Sequence, residues 1–379
     1  MTSKLCAYFQ GPPERSGDKR QDTEVVIASR MPMVRWIDPD SRAPDNPFRG
    51  RQRVLARLYM PDGDEAKYME RGPTGARQYA ELMKPRIAKL GTMGIFDVGG
   101  PNEPHPTQST AATFDGFWCE LTTIYQAMGL KLWGWDWGVG WPGLKYFDDQ
   151  DFSPGMGLAS QTARSVELMR QAGGGVVVHE YNAPSMINPN GNNDNAYTYR
   201  LLHTLNEWVD AGVDVDNLSV IIGECGIDRG VIEHGVVGGW QSFSKWAYPA
   251  ECGLPAGIMN VERYFAQLSA YDDGYSDVKQ VRNIFSFIVN PWEQWRTYNS
   301  GGPIVTWSAA KYEEAYPIIV YGPPLATSEA VRPLTLASEK AIWHIEETIR
   351  CIEGDRQSEA LERLWALRDY IREVGEANG

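Results

Sequence analysis

Two stretches of the chain place a carboxylate where an apolar strand gives out. In Phe96-Asp97-Val98-Gly99-Gly100-Pro101-Asn102-Glu103-Pro104, a short run ends in a Gly-Pro turn that presents Asn102 and Glu103. In Leu218-Ser219-Val220-Ile221-Ile222-Gly223-Glu224-Cys225-Gly226, a second run ends in Glu224 between glycines. Glycine on either side lets a ligand approach the backbone closely. Two carboxyls at one mouth are the minimum equipment for splitting a glycosidic bond: one protonates the leaving oxygen and the other takes the sugar. Like charge and partial burial are expected to raise one pKa and leave the other ionised. Either residue alone reads as an ordinary loop glutamate; the pair on matching strand ends favours chemistry.

Other residues could serve the same centre. Leu132-Trp133-Gly134-Trp135-Asp136-Trp137 runs into Gly138-Val139-Gly140-Trp141, a pattern suited to stacking sugar faces on indole rings. On a regular strand Trp133, Trp135 and Trp137 share a face. The mixed version is preferred, with Trp133 and Trp135 in the core and Trp137 or Trp141 reaching a ligand; Asp136 binds a sugar hydroxyl or caps the following turn. The five histidines, His105, His179, His203, His234 and His344, are too dispersed for a metal triad. The five cysteines show no CxxC spacing, so neither a zinc site nor a disulfide framework is suggested. No glycine-rich run opens a helix as a phosphate cradle must.

What must position these groups is an alternation of short apolar runs with helical patterns, the signature of repeated βα units. Strands are expected at Lys4–Phe9, Met33–Ile37, Val54–Tyr59, Gly94–Val98, Leu130–Trp135, Gly175–His179, Ser219–Gly223 and Asn283–Val289. Helices are expected at Arg77–Leu90, Phe114–Met128, Gln161–Ala172, Tyr197–Ala211 and Val261–Ala270, and residues 38–52 carry no strong helical pattern. Eight such units fit an α/β fold, a (β/α)8 TIM barrel over residues 1–334, whose loops beyond the strand C-termini build the site. The stretches 225–258 and 290–330 are candidate site walls. Residues 335–379 read as a C-terminal helical pair, Ala337–Cys351 and Ser358–Val374, packed on the barrel through an apolar face.

The chain has 379 residues, of which 42% are hydrophobic and 22% charged, enough for a large core. Its net charge of -13 repels phosphate backbones, and no basic stripe offsets it, so nucleic-acid binding is disfavoured. The fourteen Trp and eighteen Tyr suit a carbohydrate partner as well as a core. No apolar stretch is long enough for a signal peptide or a membrane span. The expectation is a cytoplasmic protein or one released without a cleaved signal.

The motifs together resemble the retaining glycoside hydrolases of clan A, and among them the cellulase-like family 5 and its relatives. In that clan Asn-Glu-Pro closes the fourth strand, and its match is Asn102-Glu103-Pro104. The resemblance makes Glu103 the acid/base and Asn102 the partner of the sugar 2-hydroxyl. Gly223-Glu224-Cys225-Gly226 fits the Gly-Glu-x-Gly that carries the nucleophile on the seventh strand, which assigns Glu224. His179-Glu180-Tyr181 is similar to the His-x-Tyr of the sixth strand, where the Tyr orients the nucleophile and the His stands beside it. Arg35 matches the second-strand Arg that holds the nucleophile ionised, with Arg57 as its rival. A substrate-facing Trp belongs near the end of the eighth strand; Trp292, Trp295 and Trp307 compete for it, and Trp292 is set with Trp137 and Trp141 among the substrate contacts. The third strand departs from the family, since Leu55–Tyr59 lacks its usual polar residues. The expectation is a retaining β-glycosidase needing no metal or cofactor; a muramidase-like lysin and a silent carbohydrate-binding barrel are the alternatives.

Overall fold

Eight apolar runs become eight parallel strands that close on themselves. In chain order they are β1 (Leu5–Phe9), β2 (Met33–Ile37), β3 (Arg53–Arg57), β4 (Asp97–Gly99), β5 (Lys131–Trp137), β6 (Gly175–Asn182), β7 (Val220–Ile227) and β8 (Val281–Val289). Each pairs with its sequence neighbours, and β1 pairs with β8 to close the ring. This is the expected (β/α)8 barrel. The computed structural model describes residues 3–10, 20–43, 45–142, 157–187, 197–233, 235–289, 291 and 293–315. The chain forms two units, Met1–Ile318 and Ile319–Gly379, so the expected helical pair and the boundary at 334 lie outside the described residues.

The helices lie close to where the 3.6-residue periodicity put them, at Gly72–Thr92, Ala111–Ala127, Ala163–Gln171, Arg200–Asp210 and Val261–Gly274. The connection after β2 holds a single helical turn, Pro39–Arg42, in keeping with its weak pattern. Arg20–Ala28 follows β1, and Pro303–Ala315 completes the unit after β8 in a stretch read from sequence as loop. Its buried Ile304, Val305, Ala309 and Tyr312 form the inner stripe, and the Tyr312 hydroxyl meets Cys6 Sγ of β1 at 3.2 Å. Among the described residues no helix is long and apolar enough to cross a membrane.

Strand ends differ from the sequence reading where the site is built. β6 and β7 run on to Asn182 and Ile227, so Tyr181 and Glu224 stand within the ladder rather than beyond it, with Glu224 opposite His179. Glu103 alone projects from a loop, with its φ at 43° and its amide donating to the Asp136 carbonyl at 3.0 Å.

β5 carries the main irregularity. Gly134 pairs with Val176 but Trp137 with Val178, so one extra residue is accommodated as a bulge at Trp135 and Asp136, both at positive φ. Gly134 faces the helices, since a Cβ there would meet Met169 and Trp118. Trp135 faces them too, packing on Trp118 and donating to Ser165 Oγ at 3.0 Å. The expected shared face of Trp133, Trp135 and Trp137 is thereby broken: Trp133 points away from the helices and donates to Asp97 at 2.9 Å.

Candidate active site

A cleft of about 400 Å³ opens at the C-terminal ends of the strands, the end at which barrel loops gather. Arg57, Asn102, Glu103, Tyr181 and Glu224 line it together with Asp228, Phe287, Trp295 and Tyr298. Glu103 and Glu224 therefore share one cavity, and an oxygen of each lies within 4.8 Å of the other and of a His179 ring nitrogen.

Glu224 is almost fully buried and is gripped from several sides. Arg57 donates to its Oε1 at 3.1 Å, Tyr181 to its Oε2 at 3.1 Å, and Arg35 stands 3.9 Å from Oε1. Of the two arginines weighed from sequence, Arg57 makes the direct hydrogen bond. Burial pushes the Tyr181 hydroxyl far above its ordinary pKa, with the negative charge of Glu224 adding to it, so it remains a donor. Gly223 serves a purpose other than ligand approach, for a Cβ there would collide with Arg35 and Val177.

Glu103 keeps 34% of its side chain exposed and accepts from His179 Nδ1 at 2.8 Å. The other ring nitrogen of His179 donates to Asp136 Oδ1 at 2.7 Å, and the Asp136 carboxylate forms a tight ion pair with Arg35 through Oδ2. Burial alone would push His179 down, but the charges of Glu224 and Asp136 push it up to about 9. Burial would push Glu103 up, yet the hydrogen bond and charge of His179 hold it below the ordinary carboxylate value. Asp136 is likewise held low: burial opposes ionisation, and Arg35 and His179 outweigh it. The expectation that crowding raises the pKa of a catalytic carboxyl thus fails for Glu103, because an imidazolium lies against it.

The readings of Trp137, Asp136 and Trp141 need correction. Trp137 is fully buried, stacked 4.2 Å from Trp135, and touches no ligand space, since the bulge turns it toward the helices. Arg35 and His179 are buried beside Glu224, at 3.9 and 3.7 Å, and hold side chains there. Asp136 neither caps a turn nor faces the cleft. Trp141 is half-buried, 5.3 Å from the exposed His105 ring, and is no part of the cleft wall. Trp292 lies outside the described residues; Trp295 lines the cleft, whereas Trp307 packs on Phe265 away from it. Asn102 lines the cleft with a buried side-chain oxygen that has no partner among the described residues, while its amide donates to Glu65 at 2.7 Å.

Sequence reasoning missed Asp228 and Tyr298. Asp228 lies just past β7 and accepts from the Tyr298 hydroxyl at 2.6 Å and from the Gly230 amide at 2.8 Å. Burial pushes its pKa up despite both bonds. A scan of the β7 loop for a second carboxylate would have found it; nothing in the sequence pairs it with Tyr298, seventy residues on.

Glu103, His179 and Glu224 are close enough to raise the question of a metal. A protonated His179 with both nitrogens donating, and two arginines beside Glu224, make a poor donor set for a dication.

No protein-family model and no curated protein matches the sequence. Several solved structures overlap with the chain. An exo-β-1,3-glucanase of family GH128 (subgroup VI) from Aureobasidium namibiae is 8% identical, with TM-score 0.41, over 82% of this chain and 90% of that one. A GH18 chitinase from Pseudoalteromonas aurantia is 13% identical, with TM-score 0.40, over 82% and 100%. A spore cortex-lytic enzyme from Bacillus megaterium is 9% identical, with TM-score 0.45, over 78% and 72%. Likenesses this low carry no argument about activity. The barrel rests on its own strand pairing.

Proposed function

We propose that the chain is a retaining β-glycoside hydrolase of the clan A type. The observation that supports this best is the approach of Glu103 and Glu224 across the cleft to within 4.8 Å at one oxygen of each. Retention by double displacement needs carboxyls about 5 to 5.5 Å apart, whereas inversion needs room for a water, about 6.5 Å or more. Glu224, held by Arg57 and Tyr181, attacks the anomeric carbon and forms a glycosyl-enzyme. Glu103, the more exposed of the two, protonates the departing oxygen and then takes a proton from the water that releases the sugar. Asn102 offers its unpartnered oxygen to a sugar hydroxyl, and Trp295 offers a ring face.

The test is a screen of chromogenic β-glycosides, β-glucans, chitin oligomers and peptidoglycan, followed by Glu224→Ala and Glu103→Ala. Glu224→Ala is expected to abolish turnover on every substrate. Glu103→Ala is expected to spare only the first step on dinitrophenyl glycosides, whose leaving group departs unprotonated, to stall as the glycosyl-enzyme for want of a base, and to regain rate when azide releases the sugar as a β-glycosyl azide. Turnover of peptidoglycan alone would favour a lysin. Unchanged activity in either variant, or binding without turnover in the wild type, would overturn the assignment.

A further inference from the structure

A buried chain of charged groups runs behind the cleft: Arg35 on β2, Asp136 on β5, His179 on β6 and Glu103 beyond β4. The proposed acid lies at its outer end, and the reading of Glu103 as acid/base leaves one problem open. A general acid must carry a proton, yet Glu103 is held ionised by its neighbour.

We infer that Asp136 is a positioning residue that keeps the catalytic proton on His179 Nδ1, ready for Glu103. Asp136 is fully buried and reaches His179 only because the β5 bulge sends two consecutive residues, Gly134 and Trp135, toward the helices and turns Asp136 back into the barrel. Its Oδ1 fixes the imidazole by Nε2, which leaves Nδ1 aimed at Glu103 Oε1 2.8 Å away. The charged groups facing the ring are Glu103, Asp136, Glu224 at 3.7 Å and Arg35 at 3.4 Å. Arg57 lies beyond Glu224. Arg35 pairs with Asp136 and keeps its carboxylate ionised, and Nδ1 lies nearer to Glu103 than to Glu224, so a proton leaving Nδ1 goes to Glu103.

The sequence of transfers balances. As the glycosidic bond breaks, the proton moves from Nδ1 to Glu103 and from Glu103 to the departing oxygen, which keeps the bonding electron pair. Glu224 forms the new bond to the sugar, and His179 becomes neutral, its remaining proton on Nε2 still donated to Asp136. Water then attacks the glycosyl-enzyme, expels Glu224, and returns a proton through Glu103 to Nδ1. The inference rests on the proposed function for its catalytic consequence, while the proton's location stands apart from it.

The experiment uses the full chain with ¹⁵N-labelled histidine, followed by NMR across the neutral and alkaline range, His179→Gln supplying the assignment. In the wild type the ring is expected to remain an imidazolium until about pH 9, with a slowly exchanging Nε2 proton. In Asp136→Asn the midpoint is expected to fall toward the ordinary value of about 6.5. That variant is also expected to lose about tenfold or more in kcat on alkyl glycosides, with KM nearly unchanged and dinitrophenyl glycosides spared. A wild-type ring that titrates at the ordinary value, or a fast-exchanging Nε2 proton, overturns the inference even if the variant does not fold. So does an unmoved midpoint in Asp136→Asn. If no glycoside is cleaved by the wild type while the ring behaves as stated, the proposed function fails and the placement of the proton stands.

Discussion

Glu224 is anchored by groups from three strands, Arg57 from β3, Tyr181 from β6 and Arg35 from β2, whereas Glu103 hangs from a loop and leans on His179. The contrast makes the pH response of the folded protein depend on the imidazole. Its pKa is raised on folding from about 6.5 to about 9. The stabilisation is therefore complete below about pH 6.5 and lost as the pH climbs through about 9, with an upper size on the order of 3 kcal/mol. The wild type is expected to lose Tm between those limits relative to His179→Gln, measured by calorimetry at matched ionic strength. Parallel curves for the two proteins would show that the ring is neutral in the fold. Glu103, Glu224, His179 and Tyr181 were visible in the sequence because each ends an apolar run. Asp136 was visible only as a residue with two possible uses, since its actual partners, Arg35 and His179, are set by a bulge that no local pattern announces.

At the scale of elements, glycines decide where the buried cations go. Gly223 precedes Glu224 on β7, and the space a side chain would take is filled by the Arg35 guanidinium and Val177. Gly223→Ala is expected to cost about 1–3 kcal/mol through overpacking and to disturb Arg35, hence Asp136 and Glu224 together. Gly91, in the helix Gly72–Thr92, has open space around it and an ordinary φ. Gly91→Ala is expected to stabilise by about 0.5–1 kcal/mol. Urea midpoints of the two variants should move in opposite directions; a harmless Gly223→Ala would mean that the Arg35 pocket has slack. The sequence pattern located the strands well because their burial is nearly continuous, as parallel strands require. It missed the helix Pro303–Ala315 because an Ile-Val-Thr-Trp start between Gly- and Pro-rich stretches resembles a strand or loop, and only the stripe through Ile304, Ser308 and Tyr312 betrays the helix.

At the scale of the whole molecule, the net charge of -13 and the three carboxylates of the cleft, Glu103, Asp228 and Glu224, act in the same direction. The cations nearest them are committed: Arg57 and Arg35 to Glu224 and Asp136, and His179 to Glu103 and Asp136. No free positive charge is left among these groups to meet a uronate. The proposed substrate is therefore a neutral β-linked saccharide, and discrimination against an anionic one should come from long-range repulsion as much as from contact. Repulsion of that kind is screened over about 10 Å at 0.1 M salt. With Glu224→Gln to prevent turnover, a neutral β-linked oligosaccharide is expected to raise Tm by an amount that salt hardly changes. An oligomannuronate of equal length, likewise β-linked, should raise it little at low salt and somewhat more as salt is added. For either sugar the rise follows its concentration over Kd, about 2.7 kcal/mol at a hundredfold excess, so titrations give the two affinities on one scale. Tighter binding of the uronate at low salt would mean that one of the buried cations is released to substrate, and the account of the Arg35–Asp136–His179 chain as a closed set of ion pairs would fall with it.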